Sequence, residues 1–190
     1  YRLLGDHSLS RISFGVSLML FAALHIHQSA GKLELHFGIF VLLAMLIAFR
    51  DYWVIIVAAL TIAVHHLLFM YLQMQDSGVY LVPQQSLSLN IILVHAAFVI
   101  AESAVLVLLC RQSYREAVVG QALFDATDAL LTEQGTIVLT GRCTDLNSRV
   151  INGFNAVLNS LQATIKTIEQ QSAALKQESD TLQTEGAELS

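Results

Sequence analysis

Six of the seven histidines in this sequence stand inside or at the edge of long apolar runs: His25, His27, His36, His65, His66 and His95. Neutral imidazole is the commonest side-chain metal ligand and suits copper, zinc, iron and nickel. The adjacent pair His65–His66 and the His25-x-His27 spacing suit a compact cluster that holds an ion directly. Two rings on facing helices would instead serve as axial ligands of haem b, with Gly15 or Gly38 making room for the porphyrin. Six rings exceed what one haem uses, so the expectation leans to a transition-metal ion, copper first. Glu34, two residues before His36, and Glu102, two turns below His95 on the same helical face, are placed to orient an imidazole or to ligate. A single histidine in such a run needs no more than a neighbouring carbonyl. Six from four runs point to a site, because ionisable groups in a bilayer are rare and by default functional.

The runs that must position these rings are read from charge. Hydrophobic residues make up 55 % and charged residues 13 %, against roughly 25 % charged in an average soluble domain. Mean hydropathy is +0.60, and one proline in 190 residues points to long helices. Between Arg11 and Arg111 the only charges are Lys32, Glu34, Arg50, Asp51, Asp76 and Glu102. Four runs there approach the 17–25 residues or so that cross a bilayer: Ile12–Ser29, Leu33–Phe49, Trp53–Met74 and Leu87–Cys110. The second is the shortest, and the Arg50–Asp51–Tyr52 turn makes it one limb of a helical hairpin with the third. Another apolar helix follows the Leu-rich stretch Val16–Leu24 almost at once, which argues against a cleaved signal peptide.

Arg2, Arg11, Arg50, Arg111 and Arg115 fall on one side and Lys32 on the other, so both termini are expected in the cytoplasm. Tyr52 and Trp53 then sit at the inner boundary, with Tyr71 and Tyr80 at the outer one. Counted from their own helix ends, His25, His27 and His36 lie within about one turn of the outer face, and His65, His66 and His95 about 12–14 Å in. All six belong to the outer leaflet.

Past Arg111 charges recur every few residues and the pattern becomes amphipathic. A helix from about Tyr114 to Leu131 carries Val119, Leu123, Ala126 and Leu130 on one face. A connector with Gly135, Thr136, Ile137, Val138 and Gly141 leads to a second helix from near Asp145. There Ile151, Phe154, Leu158, Leu161, Ile165, Ile168, Ser172, Leu175, Ser179, Leu182, Gly186 and Leu189 alternate by three and four, as in a coiled coil. Such a seam calls for a second subunit. Ser172, Ser179 and Gly186 weaken its lower half, and its register predicts a rod continuing beyond Ser190.

Asp145 with Phe154-Asn155 nine residues on, inside Asp145–Leu161, resembles the second helix of a HAMP domain in methyl-accepting chemotaxis proteins. The Leu161-Gln162-Ala163-Thr164-Ile165 run and the Ser/Gln/Glu-rich heptads after it resemble the start of a chemoreceptor rod. The N-terminal half resembles the four-helix, His-rich sensor found ahead of some such receptors, in the stretches His25-Ile26-His27, Glu34-Leu35-His36-Phe37-Gly38, Phe49-Arg50-Asp51-Tyr52-Trp53 and His65-His66-Leu67-Leu68-Phe69. The resemblance implies a bacterial inner-membrane homodimer whose output goes to a chemotaxis kinase and adaptor through a region outside this sequence. It assigns signal transmission to Arg111, Asp145, Phe154 and Asn155.

The expected fold is all-α: a four-helix transmembrane sensor over 1–110, a HAMP-like converter over 111–165 and the start of a coiled-coil rod over 166–190. No basic stripe suggests nucleic acid, and Cys110 and Cys143 form no redox or metal motif. With no nucleophile elbow, P-loop or HExxH, catalysis is not expected. The alternatives are a cofactor-free receptor for a small ligand and, behind it, a membrane metal-dependent oxidoreductase.

Overall fold

The computed structural model describes residues 7–130, 137–143 and 148–188. Their regular elements are all helices, with no strand among the described residues. The helices are α1 (Ser8–Gln28), α2 (Phe37–Met45), α3 (Tyr52–Met74), α4 (Leu89–Leu130) and α5 (Arg149–Glu188). The chain divides into two compact units, 1–115 and 116–190.

In the first unit α1 and α3 pack along their length. Gly15 permits the approach, since a Cβ there would lie 3.0 Å from the Val54 side chain. The porphyrin expectation gave that glycine another purpose; its open face is taken by α3. Met19, Ile26, Leu43, Ile55, Ala58 and Ile62 close the core. At the turn before α3 Asp51 caps that helix, accepting from the Trp53 N–H at 3.1 Å. Its carboxylate also pairs with Arg11 at 3.3 Å, so one side chain fixes the starts of both helices. The Arg111 guanidinium lies over the Tyr52 ring, 5.2 Å from its centroid.

Three helices, α1, α3 and α4, are long and apolar enough to cross a membrane. The run Leu33–Phe49 falls short by residue count but is not a plain α-helix. Four residues at each end, Leu33–His36 and Leu46–Phe49, are 3₁₀, flanking the nine of α2. The steeper 3₁₀ rise of about 2.0 Å per residue stretches the run to about 30 Å, where α-helix throughout would reach about 26 Å.

The outer connection is folded against the helix ends. Gly31, at φ +75°, lies so close to Val82 that a Cβ would stand 2.6–2.7 Å from its backbone atoms. Gln73, buried near the end of α3, donates to the Val82 carbonyl at 2.7 Å and accepts from the Leu81 N–H at 2.8 Å and the Val82 N–H at 3.3 Å. One buried amide thus satisfies three backbone groups that would otherwise be stranded.

The fourth apolar run was expected to continue through Arg111–Arg115 into the amphipathic stretch after it, and the two form one 42-residue helix. Nothing between Cys110 and Tyr114 breaks it: that stretch holds no glycine or proline. In the second unit, the segment 137–143 is clamped to α5. Arg142 donates to the Asn159 side chain through Nε at 3.0 Å and Nη2 at 2.6 Å, and to Gln162 at 2.9 Å. Asn155 donates to the Cys143 carbonyl at 2.9 Å and accepts from its N–H at 3.2 Å, in the manner of a backbone pair. Phe154 is half-buried, and Ile151 and Leu158 are buried. Further along α5 the seam residues Leu161, Ile165, Ile168, Leu175 and Leu182 are exposed. Asp145 lies outside the described residues.

Candidate functional site

The six histidines separate into groups. His36, at the junction between its 3₁₀ turn and α2, meets His66 of α3 and His95 of α4. The ring centroids are 5.5 Å and 5.2 Å from His36, both edge to face. His36 is 2 % and His66 8 % exposed. Sequence depth put His36 a turn away from the other two, because each was counted from its own helix end; the fold brings the three rings together.

Each of these rings is held by its own helix. Nδ1 of His36 lies 3.2 Å from the Lys32 carbonyl, Nδ1 of His66 lies 2.9 Å from that of Ile62, and Nδ1 of His95 lies 2.8 Å from that of Ile91. A carbonyl only accepts, so Nδ1 carries the proton in each contact. With one proton per ring, Nε2 is left with its lone pair. That of His36 is buried and meets no hydrogen-bond partner.

The other three rings go elsewhere. Neighbours on a helix point about 100° apart; the His65 ring stays in edge-to-face contact with that of His66, centroids 5.5 Å apart, but packs on Phe69 at 4.0 Å and does not line the cleft between α2, α3 and α4. Both its ring nitrogens are buried without a hydrogen-bond partner. His27 accepts from the Tyr80 N–H through Nδ1 at 3.1 Å and pins the outer connection. His25 is exposed, with its ring on Phe21. Glu34 is exposed as well, and no hydrogen bond or ion pair joins it to a histidine among the described residues. Glu102 is half-buried, with Oε2 lacking a hydrogen-bond partner. Seven residues separate it from His95, about 10 Å along the helix.

His36, His66 and His95 line a cleft of about 510 Å³ between α2, α3 and α4. Its walls are apolar, with Ile39, Ile62, Ile92 and Val99 at the back. Leu60, Leu67, Leu93 and Ile100 flank it and are themselves largely exposed, so the cleft opens sideways. Ser103, two turns below His95, is the one hydroxyl among the residues lining it. Sequence reading found the rings but not this space. No motif marks it; it arises because α4 packs loosely, its most apolar stretch being 11 % buried against 33 % in α3.

Among the described residues no group of three or more His, Cys, Asp or Glu side chains is arranged to hold a metal ion. A haem with two axial histidines needs rings facing one another across the macrocycle; these rings touch edge to face and leave no slot between them. No protein-family model, curated protein or solved structure matches the chain.

Proposed function

We propose that this chain is the sensor and signal-converting part of a dimeric bacterial membrane receptor, and that its sensory site is the histidine-ended cleft. The observation that carries this reading is the cleft itself: an apolar space of ligand size whose polar groups converge at one end, as small-molecule sites are built. In the proposed setting the four runs cross the bacterial inner membrane with both termini inside. Occupancy changes how α2, α3 and α4 pack. The helix that carries His95 also supplies the stretch 116–130 of the second unit, so a shift in α4 biases its packing there. The Arg142 and Asn155 clamps support a HAMP-like converter, since they fix a connector against the following helix. The exposed seam of α5 supports a homodimeric rod. Output to a chemotaxis kinase and adaptor follows the family resemblance.

A second reading has its own observation. Three imidazoles around one ion, each at about 2 Å, set ring centroids roughly 5 Å apart, close to the 5.2 and 5.5 Å seen at His36. Small ring rotations would bring the three Nε2 atoms onto a transition-metal ion, copper first, with Nδ1 already oriented by carbonyls. On this reading His25, His27, Glu34 and Glu102 are not ligands.

Native mass spectrometry and metal analysis on one detergent-purified sample separate the two. A dimer retaining a small organic molecule, lost in Ala63→Phe, is the expected result. Stoichiometric metal lost in His66→Ala and His95→Ala establishes the second reading instead, and a Soret band would restore haem b. A preparation carrying none of these, with a lipid-soluble fluorescent probe also failing to bind, refutes the cleft as the sensory site.

A further inference from the structure

The cleft discriminates by hydrogen-bond direction. Resting on the reading of it as a ligand site, we infer that its ligand is a lipid-soluble quinol, the reduced dihydroxy-aromatic form, and not the corresponding quinone. The argument begins at Nδ1. The three rings that end the cleft commit that nitrogen to the carbonyls of Lys32, Ile62 and Ile91. The Nε2 of His36 is buried, and what His66 and His95 turn to an occupant is two Nε2 lone pairs, which accept hydrogen bonds and donate none. A ligand lodged there must bring O–H or N–H groups.

Three further features narrow the class. The opening lies between exposed apolar side chains, Leu60, Leu67, Leu93 and Ile100, so the occupant enters from lipid and not from water. The walls carry no charge, which excludes an ionised head group, because burying an unpaired charge is prohibitive. The two acceptor rings each stand edge to face against the His36 ring. An alkyl alcohol brings one donor and leaves one buried acceptor unmet. A dihydroxy aromatic head brings two donors and a face that packs on imidazole. A volume of about 510 Å³ holds one such ring and the first part of an apolar tail, the rest running out between α3 and α4.

Oxidation of the ligand removes both donors and presents carbonyl oxygens to the Nε2 lone pairs. A pocket built for a hydroxyl rejects the analogue that lacks it far more strongly than an apolar pocket rejects a size change. The site therefore reads the reduced fraction of a membrane carrier pool, by binding alone and with no electron transfer in the protein.

The test uses the whole chain in nanodiscs of neutral phospholipid, kept anaerobic, with a decyl-tailed benzoquinol and the matching benzoquinone as probes. Binding is followed by equilibrium partition and by the ¹⁵N signals of labelled histidine. The expected result is binding of the quinol about tenfold or more tighter than the quinone, with the Nε2 resonances of His66 and His95 moving on quinol addition. In His66→Leu/His95→Leu the preference should vanish while an uncharged aromatic probe still binds, which shows the variant folded. Equal binding of the two probes by the unaltered chain, or a preference for the quinone, overturns the inference and leaves the cleft as a site of another class. Failure of quinol, quinone and aromatic probe alike overturns the ligand-site reading with it.

Discussion

Replacing Gln73 by Leu removes one amide and keeps nearly the same volume, so the loss is almost wholly one of hydrogen bonding. Three backbone groups lose their partner: the N–H of Leu81 and the N–H and carbonyl of Val82. Leu81 and Val82 are fully buried, so water replaces these bonds only if the connection lifts away. At about 1 to 1.5 kcal/mol net for each bond, local opening becomes easier by roughly 3 to 4 kcal/mol. That is a factor of several hundred in the opening constant, at 1.4 kcal/mol or so per decade. Amide hydrogen exchange in detergent reads it directly. The Leu81 and Val82 amides should lose two to three orders of magnitude of protection, while those in the middle of α3, around Ala58 to Ile62, stay unchanged. Unaltered protection at Leu81 and Val82 would refute the assignment of Gln73 as the anchor. A uniform loss along α3 would show that the side chain supports the whole bundle instead.

Gly31→Ala should lower the thermal unfolding midpoint of the first unit, because alanine at φ +75° is strained by about 1–2 kcal/mol and its Cβ also meets the Val82 backbone; an unchanged midpoint would show that the connection yields without loss. Asn155→Ala leaves both backbone groups of Cys143 without their partner, and the Cys143 thiol should react with maleimide roughly tenfold faster, following the 1–2 kcal/mol of lost bonding. Ile165→Asn puts an amide into the exposed seam of α5, and sedimentation should show a dimer at least about tenfold weaker; a concentration-independent monomer in the unaltered chain would remove the basis for the rod.

Long apolar runs were legible because their physics is local. The start of α3, at Tyr52 against the expected Trp53, and the turn at Arg50–Asp51 follow from composition and a capping carboxylate, whereas α1 starts at Ser8, four residues ahead of the expected Ile12. The 3₁₀ ends of the second run were not legible, since no residue type demands them; they answer to where its neighbours begin and end. The histidines were legible as a set but not as groups. His65 and His66 look equivalent in sequence, and helical geometry alone sends one ring to Phe69 and the other to the cleft. His27 looked like a ligand and ties down a loop. Gln73 and Arg142 were passed over because an amide or a guanidinium at a helix end or in a connector carries no signature until the backbone it serves has folded against it. The cleft was invisible for the same reason: an absence of packing has no residue of its own.

The stretched run 33–49 has a consequence for how the bundle sits in lipid. At about 30 Å it matches the hydrocarbon thickness with nothing in reserve, and Lys32 and Arg50 stand directly at its two ends. Any tilt shortens its reach and draws one of those charges toward the acyl chains, whereas α3, at 23 residues, has length to lean with. In the proposed membrane setting this run is the plumb line of the bundle. A thicker bilayer would strain it before α3. His36, at its outer end, would then be displaced relative to His66 and His95, so the geometry of the three rings is tied to the thickness of the lipid around them.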